Sequence, residues 1–232
     1  MYKIILSIFS FLFLFSNLSA QEKINQVNAK GERIGIWKKY YENKKIRYQG
    51  QFENGKEVGV FKYYSPVSSK FPMVLKTFEK NSDEDLVQHF TLKGLPESEG
   101  KMNGKKRVGK WVYYHKDGKE VLIEENYVDG VLNGDFKVFY EDGKLTKFTH
   151  FKDGKLHGNS KKYTPKSILV EDINYVNGEL HGDAAFYEDN GNLKQKGLYE
   201  EDLKVGVWEF FEDGELSESK EIKVWKEKGK KE

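Results

Sequence analysis

Apolar and polar residues alternate in two short segments that recur along most of this chain. In one stretch, the first alternating segment covers residues 135–140 and the second covers residues 145–151. Alternation of this length predicts two half-buried β-strands, because successive side chains of a strand point to opposite faces. Asp142-Gly143 separates the segments and Asp153-Gly154 follows the second one. Such dipeptides tolerate the positive φ of tight turns, so the pattern predicts a β-hairpin.

The hairpin pattern occurs eight times, at intervals of 24 to 26 residues. Each copy has a marker position, and an aromatic residue follows five residues later in all eight copies. The markers, which number copies 1 to 8, are Gly35, Gly59, Asp85, Gly109, Gly134, Gly158, Gly182 and Gly206. The aromatic residues, called the +5 row, are Tyr40, Tyr64, Phe90, Tyr114, Phe139, Tyr163, Tyr187 and Phe211. A fixed period of this size is typical of an array of stacked supersecondary units.

The links between the segments decide the predicted fold class. Most of them carry Asn-Gly or Asp-Gly, and none is long enough for a parallel crossover, which takes about a dozen residues or more. We therefore predict an all-β protein, an elongated antiparallel β-meander of about eight hairpin repeats of about 24 residues each.

Two further rows of side chains follow from the repeat. The +2 row, two residues after the marker, is Trp37, Phe61, Val87, Trp111, Phe136, Ser160, Ala184 and Trp208. The second-strand row is aromatic except for Lys101, its other members being Phe52, Phe78, Tyr127, Phe151, Tyr175 and Tyr199. The +2 and +5 rows are three residues apart, which places them on opposite faces of a regular strand. Either both faces carry apolar rows or a bulge re-aims one row.

Copies 2, 3 and 6 depart from the common pattern. Copy 2 has an insertion around residues 65–70, and copy 6 has Thr-Pro-Lys-Ser at 164–167 in place of its turn. Copy 3 has Asp85 at the marker and Val87 in the +2 row. We expect longer loops at these places.

The turn motif also carries a family resemblance. Residues 55–61 read Gly-Lys-Glu-Val-Gly-Val-Phe, and similar motifs lie at 154–158 and 178–182. Over about residues 28–226 the pattern resembles the bacterial variant of the MORN repeat. The resemblance implies hairpin units joined into an elongated, twisted sheet that serves as an interaction or scaffold module. Some members are linked to membranes, and some bacterial relatives are labelled antitoxins of toxin–antitoxin systems, which normally act in the cytoplasm.

Residues 1–20 predict a secretory signal peptide. Lys3 supplies a positive charge, residues 4–15 form a mostly apolar run, and cleavage is expected between Ala20 and Gln21. The run is shorter than the roughly 20 residues that span a bilayer, so no integral membrane span is expected after cleavage. Retention of the segment as an N-terminal anchor is the alternative. The protein is thus predicted to be exported, to the periplasm or the extracellular space.

Composition narrows the partners and the chemistry. Lys plus Arg number 39 and Asp plus Glu 37, and the charges alternate along the chain without a basic stripe, so we predict no nucleic-acid binding. The absence of cysteine excludes disulfides, thiolate metal sites and a lipid-modified N-terminus. Residues 227–232 form a charged segment that we expect to be a solvated tail.

Candidate catalytic and metal-binding groups are few. His157 and His181 occupy the same place in neighbouring copies, about 10 Å apart across two strands, so they are too far apart to share one metal ion. We expect a structural role in the turn for both. The acidic group Asp83-Glu84-Asp85 lacks the spacing of a calcium loop and is expected to be a solvated turn. Since no nucleophile elbow, phosphate-binding loop or HExxH motif occurs, we predict no enzyme, no metal and no cofactor.

These observations lead to three functional hypotheses. The first is a protein-binding or scaffold module at the cell envelope, with a partner that the sequence does not identify. The second is a module that binds an envelope glycan or polymer, with Trp37, Trp111 and Trp208 as exposed stacking platforms; packing within the repeat is the other interpretation of these residues. The third is an antitoxin-like inhibitor or accessory protein.

Overall fold

The computed structural model describes residues 23–79 and 82–223, and every regular element in them is a β-strand. The predicted signal peptide, with Ala20 and Gln21, and the charged tail at 227–232 lie outside these residues. No helix in the two described ranges is long and apolar enough to cross a membrane. The strands are β1 (Gln26–Val27), β2 (Arg33–Tyr40), β3 (Ile46–Glu53), β4 (Lys56–Tyr63), β5 (Val74–Phe78), β6 (Glu84–Phe90), β7 (Pro96–Asn103), β8 (Lys106–Tyr114), β9 (Val121–Val128), β10 (Val131–Leu132), β11 (Gly134–Phe139), β12 (Leu145–Lys152), β13 (Lys155–Tyr163), β14 (Leu169–Val176), β15 (Glu179–Leu180), β16 (Gly182–Tyr187), β17 (Leu193–Glu200), β18 (Leu203–Glu212) and β19 (Glu215–Ile222).

The strands form one open antiparallel sheet in chain order. Except at the two-residue strands β10 and β15, each strand pairs with the next one along the chain, from β1–β2 to β18–β19. The two-residue strands β10 and β15 pair with β9 and β14, and β11 and β16 continue along the same two neighbours. This topology confirms the predicted all-β antiparallel meander.

The marker glycines lie at bulges in the first strand of their copies. Between β3 and β4, Gln51 pairs with Val58 and Gln49 with Lys62, so β4 holds two more residues than its partner around Gly59. Gly59 has a φ of 65°, and all seven marker glycines have φ between 62° and 107°. Residues with a Cβ rarely adopt this left-handed conformation, which explains the choice of glycine. Where the marker is Asp85, β5 and β6 pair without a shift.

Two kinds of turn connect the strands. Between copies, a two-residue turn such as Asn54-Gly55 has positive φ at both positions (48° and 80°), as a type I′ turn requires. Within five of the eight copies the link has five residues, as at 140–144, where only Gly143 has positive φ. The sequence therefore placed most turns correctly, but the two links of these copies differ in geometry.

The irregular copies differ in their loops. The insertion in copy 2 gives a ten-residue loop at 64–73, and copy 3 begins with a longer link between β5 and β6, as expected. The expectation of a longer loop in copy 6 is wrong. Its link at 164–168 has the ordinary five residues, because Ser167 takes the left-handed conformation (φ 62°) that glycine adopts in copies 3, 4, 5 and 7.

The register settles the relation between the apolar rows. Val138 pairs with Lys147 and Phe139 with Leu145, so the extra residue of this bulge, Thr146, belongs to the second strand. The first strand therefore alternates regularly, and the +5 row lies on the face opposite the +2 row. Both faces carry apolar residues, which is the first of the two alternatives.

The register also corrects the second-strand row in copy 3. Asp85 pairs with Met102, in the way that Gly35 pairs with Phe52 in copy 1. The sequence assigned Lys101 to the second-strand row because it lies three residues before Gly104. The pairing shows that Met102 occupies this position instead. The count failed because Asn103 pairs with Lys106, which moves this two-residue turn forward by one position.

The core is a single line of residues across the sheet. It consists of the +2 row and the second-strand residues that face it, and large rings alternate there with small residues. Phe61, Trp111 and Trp208 are 0%, 1% and 0% exposed. Each ring lies against a second-strand glycine of the neighbouring strand, and these glycines are Gly50, Gly100 and Gly197. A Cβ at any of the three would lie 2.4 Å from a ring atom, so the glycines make room for the rings.

The core line has a polar stretch in copies 5 and 6. Thr149 and Ser160, which pair across β12 and β13, are both 1% exposed. The Thr149 hydroxyl has no hydrogen-bond partner within the described part of the chain. A buried hydroxyl without a partner costs stability, so this is a weak point of the array.

Candidate binding surface

The two faces of the sheet differ in chemistry. The aromatic face carries the +2 row and the second-strand row, whose rings meet edge to face, as in Tyr199 against Trp208 at 5.2 Å between centroids. The polar face carries the residues one and three places after each marker, together with their partners on adjacent strands, and the aromatic +5 row lies on this face near the ends of the first strands. Its side chains form cross-strand ion pairs, for example Lys161 to Asp172 at 3.3 Å. A partner would therefore meet different groups on each face.

The structure places two of the three candidate tryptophans in the core. Trp111 and Trp208 are 1% and 0% exposed, and their indole nitrogens donate to the carbonyl oxygens of Lys101 (2.9 Å) and Leu198 (3.1 Å). Neither ring presents a face to solvent, so neither is an exposed stacking platform. Trp37 is half-buried. Trp111 and Trp208 are buried because each faces a glycine, Gly100 or Gly197, and the ring fills the space that the missing side chain leaves.

A cation covers each of the three tryptophans. The cation stands four residues before the Trp, and its distance to the ring centroid is 4.9 Å for Arg33, 4.5 Å for Arg107 and 3.8 Å for Lys204. None of the other five copies has a Lys or Arg at this position. Burial lowers the pKa of Lys204, whereas attraction to the ring favours its charged form. The Trp residues and their cations thus form packing units.

The most elaborate of these units surrounds Arg107. Its guanidinium donates to the hydroxyls of Tyr113 and Tyr127, and the Tyr127 hydroxyl donates to Glu125 at 2.7 Å. Burial and the nearby Glu125 carboxylate raise the pKa of Tyr113. The charges and hydroxyls of this cluster satisfy one another, which indicates a structural role.

The histidines and the acidic group lie in separate places. The His157 ring nitrogen contacts the Asn177 backbone nitrogen at 3.5 Å, whereas His181 is exposed. The expectation of a solvated turn at Asp83-Glu84-Asp85 is wrong for Glu84 and Asp85, which lie in β6, and Asp85 pairs with Lys76 at 2.9 Å. Among residues 23–79 and 82–223, no group of three His, Asp or Glu side chains could hold a metal ion.

One depression lies on the polar face of copies 6 to 8. It has a volume of about 560 Å³. Its rim carries the carboxylates of Asp172, Asp183 and Glu209, and Leu198 and Val207 add apolar surface that is 44% and 56% exposed. Lys196 pairs with Glu209 at 2.9 Å, and the Asn159 amide donates to Asp172 at 2.6 Å. Sequence reasoning missed this surface because it sought aromatic rings.

A smaller depression of about 250 Å³ lies at the same repeat positions in copies 1 and 2. It is lined by Ile36, Lys38, Gln49, Gly50, Gln51 and Val60. Both depressions lie at a second-strand glycine whose other side faces a large ring. The two depressions have the same place in the repeat, but the larger one is lined by three carboxylates and one lysine, whereas Lys38 is the charged residue that lines the smaller one.

The two ends of the described chain carry net charges of opposite sign. Residues 23–79 contain twelve Lys or Arg and five Asp or Glu, a net charge of +7. Residues 167–223 contain five Lys or Arg and fifteen Asp or Glu, a net charge of −10. The two windows have equal length. The near-cancellation over the whole chain concealed this asymmetry, which a count for each copy would have found.

Comparison with known families supports the repeat assignment. A family model described as MORN repeat variant matches residues 33–54, 132–153 and 180–201. These segments correspond to copies 1, 5 and 7, each from the first strand to the turn that ends the copy. The chain therefore carries repeats of this type at three places. No protein with a curated description matches the chain.

Proposed function

We propose that this chain is an exported, non-enzymatic repeat protein that binds a protein partner through its polar face and acts as a scaffold at the cell envelope. The observation that carries the proposal is the difference between the two faces. The largest rings of the aromatic face are used for packing, whereas the polar face leaves Val60, Leu198 and Val207 exposed beside charged groups. Exposed apolar residues rimmed by polar ones are typical of protein interfaces.

The repeat architecture supports a binding role. Arrays of this kind expose one extended surface, and each unit contacts mainly its neighbours. MORN repeats are in general non-enzymatic modules, which agrees with a surface that recognises a partner. Export is supported by the signal-peptide pattern of residues 1–20.

The proposed binding face can be tested by site-specific photocrosslinking in the native cells. A photoreactive residue at Val207 should give a discrete protein adduct. The same residue at Val128, which is equally exposed beside the turn between β9 and β10, is the matched control and should give none. Equal labelling from both positions would contradict a binding role for the polar face.

Location can be tested by fractionation and by sequencing of the mature N-terminus. Export with cleavage after Ala20 predicts a chain that starts at Gln21 in an envelope or extracellular fraction. A cytoplasmic chain with residues 1–20 intact would instead favour the antitoxin-like alternative.

Binding of an envelope glycan or polymer is the second candidate, and it too is placed on the polar face. The amides of Asn159 and Asn174 and the carboxylate of Asp183 line the larger depression and could bond sugar hydroxyls. Co-sedimentation with purified envelope polymer, compared for the native chain and an Asn159→Leu/Asp183→Leu variant, tests this candidate. Equal sedimentation of both chains would exclude it.

A further inference from the structure

We infer that the partner of the polar face is a second copy of this chain, docked face to face and antiparallel, so that the basic end of each molecule lies on the acidic end of the other. This inference rests on the proposed function, because it uses the same face. It names the partner by the charge and position of groups on the chain itself.

Charge complementarity between the ends is the first argument. The window 23–79 has a net charge of +7 and the window 167–223 has −10. Opposite charges at two ends of one sheet attract a second molecule most strongly when it lies antiparallel, since both ends are then matched at once. Such fields steer association and select the register of docking.

The second argument is where unpaired charges remain on the polar face. In the middle copies, charges pair within the molecule, as Lys110 does with Glu124. At the ends, no opposite charge among the described residues lies within 4.0 Å of Lys38, Lys62, Asp183 or Glu221. The two free cations belong to the basic end and the two free carboxylates to the acidic end.

The third argument is the match of apolar residues. Val60 and Val207 are each one residue after a marker glycine, and they are 45% and 56% exposed. Twelve strand intervals separate β4 from β18, about 58 Å along the sheet at about 4.8 Å per strand. In an antiparallel dimer, Val60 of each molecule meets Val207 of the other, so the contact occurs twice. Twofold dimers are the commonest closed assemblies.

Edge-to-edge extension of the sheet is less suited to the basic end. Residues 24–28 already cover the outer edge of β2, where the Asn25 backbone nitrogen donates to the Ile36 carbonyl at 2.8 Å. The Asn25 side chain also accepts from the Lys38 backbone nitrogen at 2.8 Å. A second molecule could add a strand there only by displacing this segment, whereas the face remains open.

The test is sedimentation velocity on the purified chain over a range of protein and salt concentrations. A change from about 10 mM to about 1 M salt shortens the Debye length from about 30 Å to about 3 Å. We expect a dimer at low salt whose dissociation constant rises at least about tenfold at high salt. A monomer at low salt, or a dimer insensitive to salt, would overturn the inference.

Charge reversal sharpens the test. Lys38→Glu/Lys62→Glu replaces the two free cations of the basic end by carboxylates and lowers its net charge from +7 to +3. Asp183→Lys/Glu221→Lys replaces the two free carboxylates of the acidic end by cations and changes its net charge from −10 to −6. Each variant alone should therefore dimerise much more weakly than the native chain. An equimolar mixture should recover the dimer, because both contacts are then complementary. Failure of the mixture to associate, with each variant folded by circular dichroism, would refute antiparallel docking.

A matched control variant reverses the charge of two lysines outside the proposed contact. Lys116→Glu/Lys119→Glu alters two exposed lysines in the turn of copy 4, away from both ends, and should leave the dimer intact. Equal loss of dimer in this control would refute the assignment to the two ends.

Crosslinking from Val207 separates the two proposals. An adduct of twice the chain mass supports the second copy, an adduct with another protein overturns it while the binding function stands, and no adduct contradicts both.

Discussion

Second-strand glycines fix the positions of the large core rings. Gly197 has an ordinary backbone conformation, so it is not needed for a turn or bulge. It lies instead against Trp208, where a methyl group would stand 2.4 Å from the ring. The same relation holds for Gly50 with Phe61 and for Gly100 with Trp111. Burial of each ring thus depends on a residue about a dozen positions away in the sequence.

Gly197→Ala should lower the free energy of unfolding by about 1–3 kcal/mol, because the added methyl group forces the ring or the strand to move. Urea denaturation measures the change. In a Trp208→Ala background the same substitution should cost much less, since the ring it clashes with is absent. An equal cost in both backgrounds would show that steric conflict is not the cause.

Thr149→Val should raise the free energy of unfolding by about 1 kcal/mol. The substitution keeps the shape of the side chain and removes a buried hydroxyl that lacks a partner. Thr77→Val, in a half-exposed place on the polar face, is the control and should stay within about 0.5 kcal/mol of the native chain. A destabilised Thr149→Val protein would mean that the hydroxyl is hydrogen-bonded in solution.

His89 should make stability depend on pH. Burial, with the Arg107 charge nearby, lowers the pKa of His89 below its usual 6.5. As the pH falls through about 6.5, the unfolded chain gains this proton before the folded one, so the His89 contribution is full above that pH and is lost below it. His89→Tyr places there the residue that copies 2 and 4 carry (Tyr63 and Tyr113). As the pH falls from about 7 to about 5, the free energy of unfolding of His89→Tyr should rise relative to that of the native chain. A difference that stays constant over this range would contradict the prediction.

At the scale of elements, the hairpin depends on three backbone devices: a type I′ turn between copies, a five-residue link within copies, and a bulge at the marker glycine. Each requires positive φ at defined positions, and the sequence supplies Gly, Asn or Asp at most of them. Copies 1 and 6 are exceptions in their links, where Lys44 and Ser167 have φ of 63° and 62°.

Ser167→Gly should therefore stabilise the protein by about 0.5–1 kcal/mol. A residue with a Cβ is penalised by about 1–2 kcal/mol in the left-handed conformation, and the greater freedom of glycine in the unfolded chain offsets part of the gain. The control is Ser219→Gly in β19, where φ is not positive and the substitution should destabilise. Thermal unfolding of both variants measures the two signs.

At the scale of the whole molecule, residues 23–79 and 82–223 form one open sheet in which each hairpin packs on its neighbours along the chain. Ties between copies are local: the Tyr41 hydroxyl donates to the Tyr64 carbonyl oxygen at 2.8 Å, and Tyr140 does the same to Tyr163 at 3.0 Å. Stability of such arrays is close to a sum over units and their interfaces. The array should therefore tolerate the loss of a whole unit.

Deletion of residues 158–181 joins His157 to Gly182 and removes one complete copy. The product should stay folded with a sheet shorter by two strands, about 10 Å, which small-angle X-ray scattering and circular dichroism can detect. Deletion of residues 158–169 is the control. It removes half a unit and breaks the alternation of first and second strands, so it should not fold. Unfolding of the full-copy deletion would contradict the local character of the packing.

The sequence by itself determined the fold class, the period and the position of nearly every turn. These features follow from local rules, namely strand alternation and the need for Gly, Asn or Asp where φ is positive. The register in copy 3 and the short link of copy 6 escaped prediction, because Gly104 and Ser167 could each take more than one place in a turn. Their choice depends on the pairing of the flanking strands.

Only the tertiary structure decided which side chains are buried and which are available to a partner. The sequence offered Trp37, Trp111 and Trp208 as equal candidates, yet two of them are enclosed, whereas Val60, Leu198 and Val207 are exposed on the opposite face. Burial in a single-layer sheet is set by cross-strand neighbours, such as a glycine beneath a ring and a cation above it. Those neighbours come together only when the strands have paired in register.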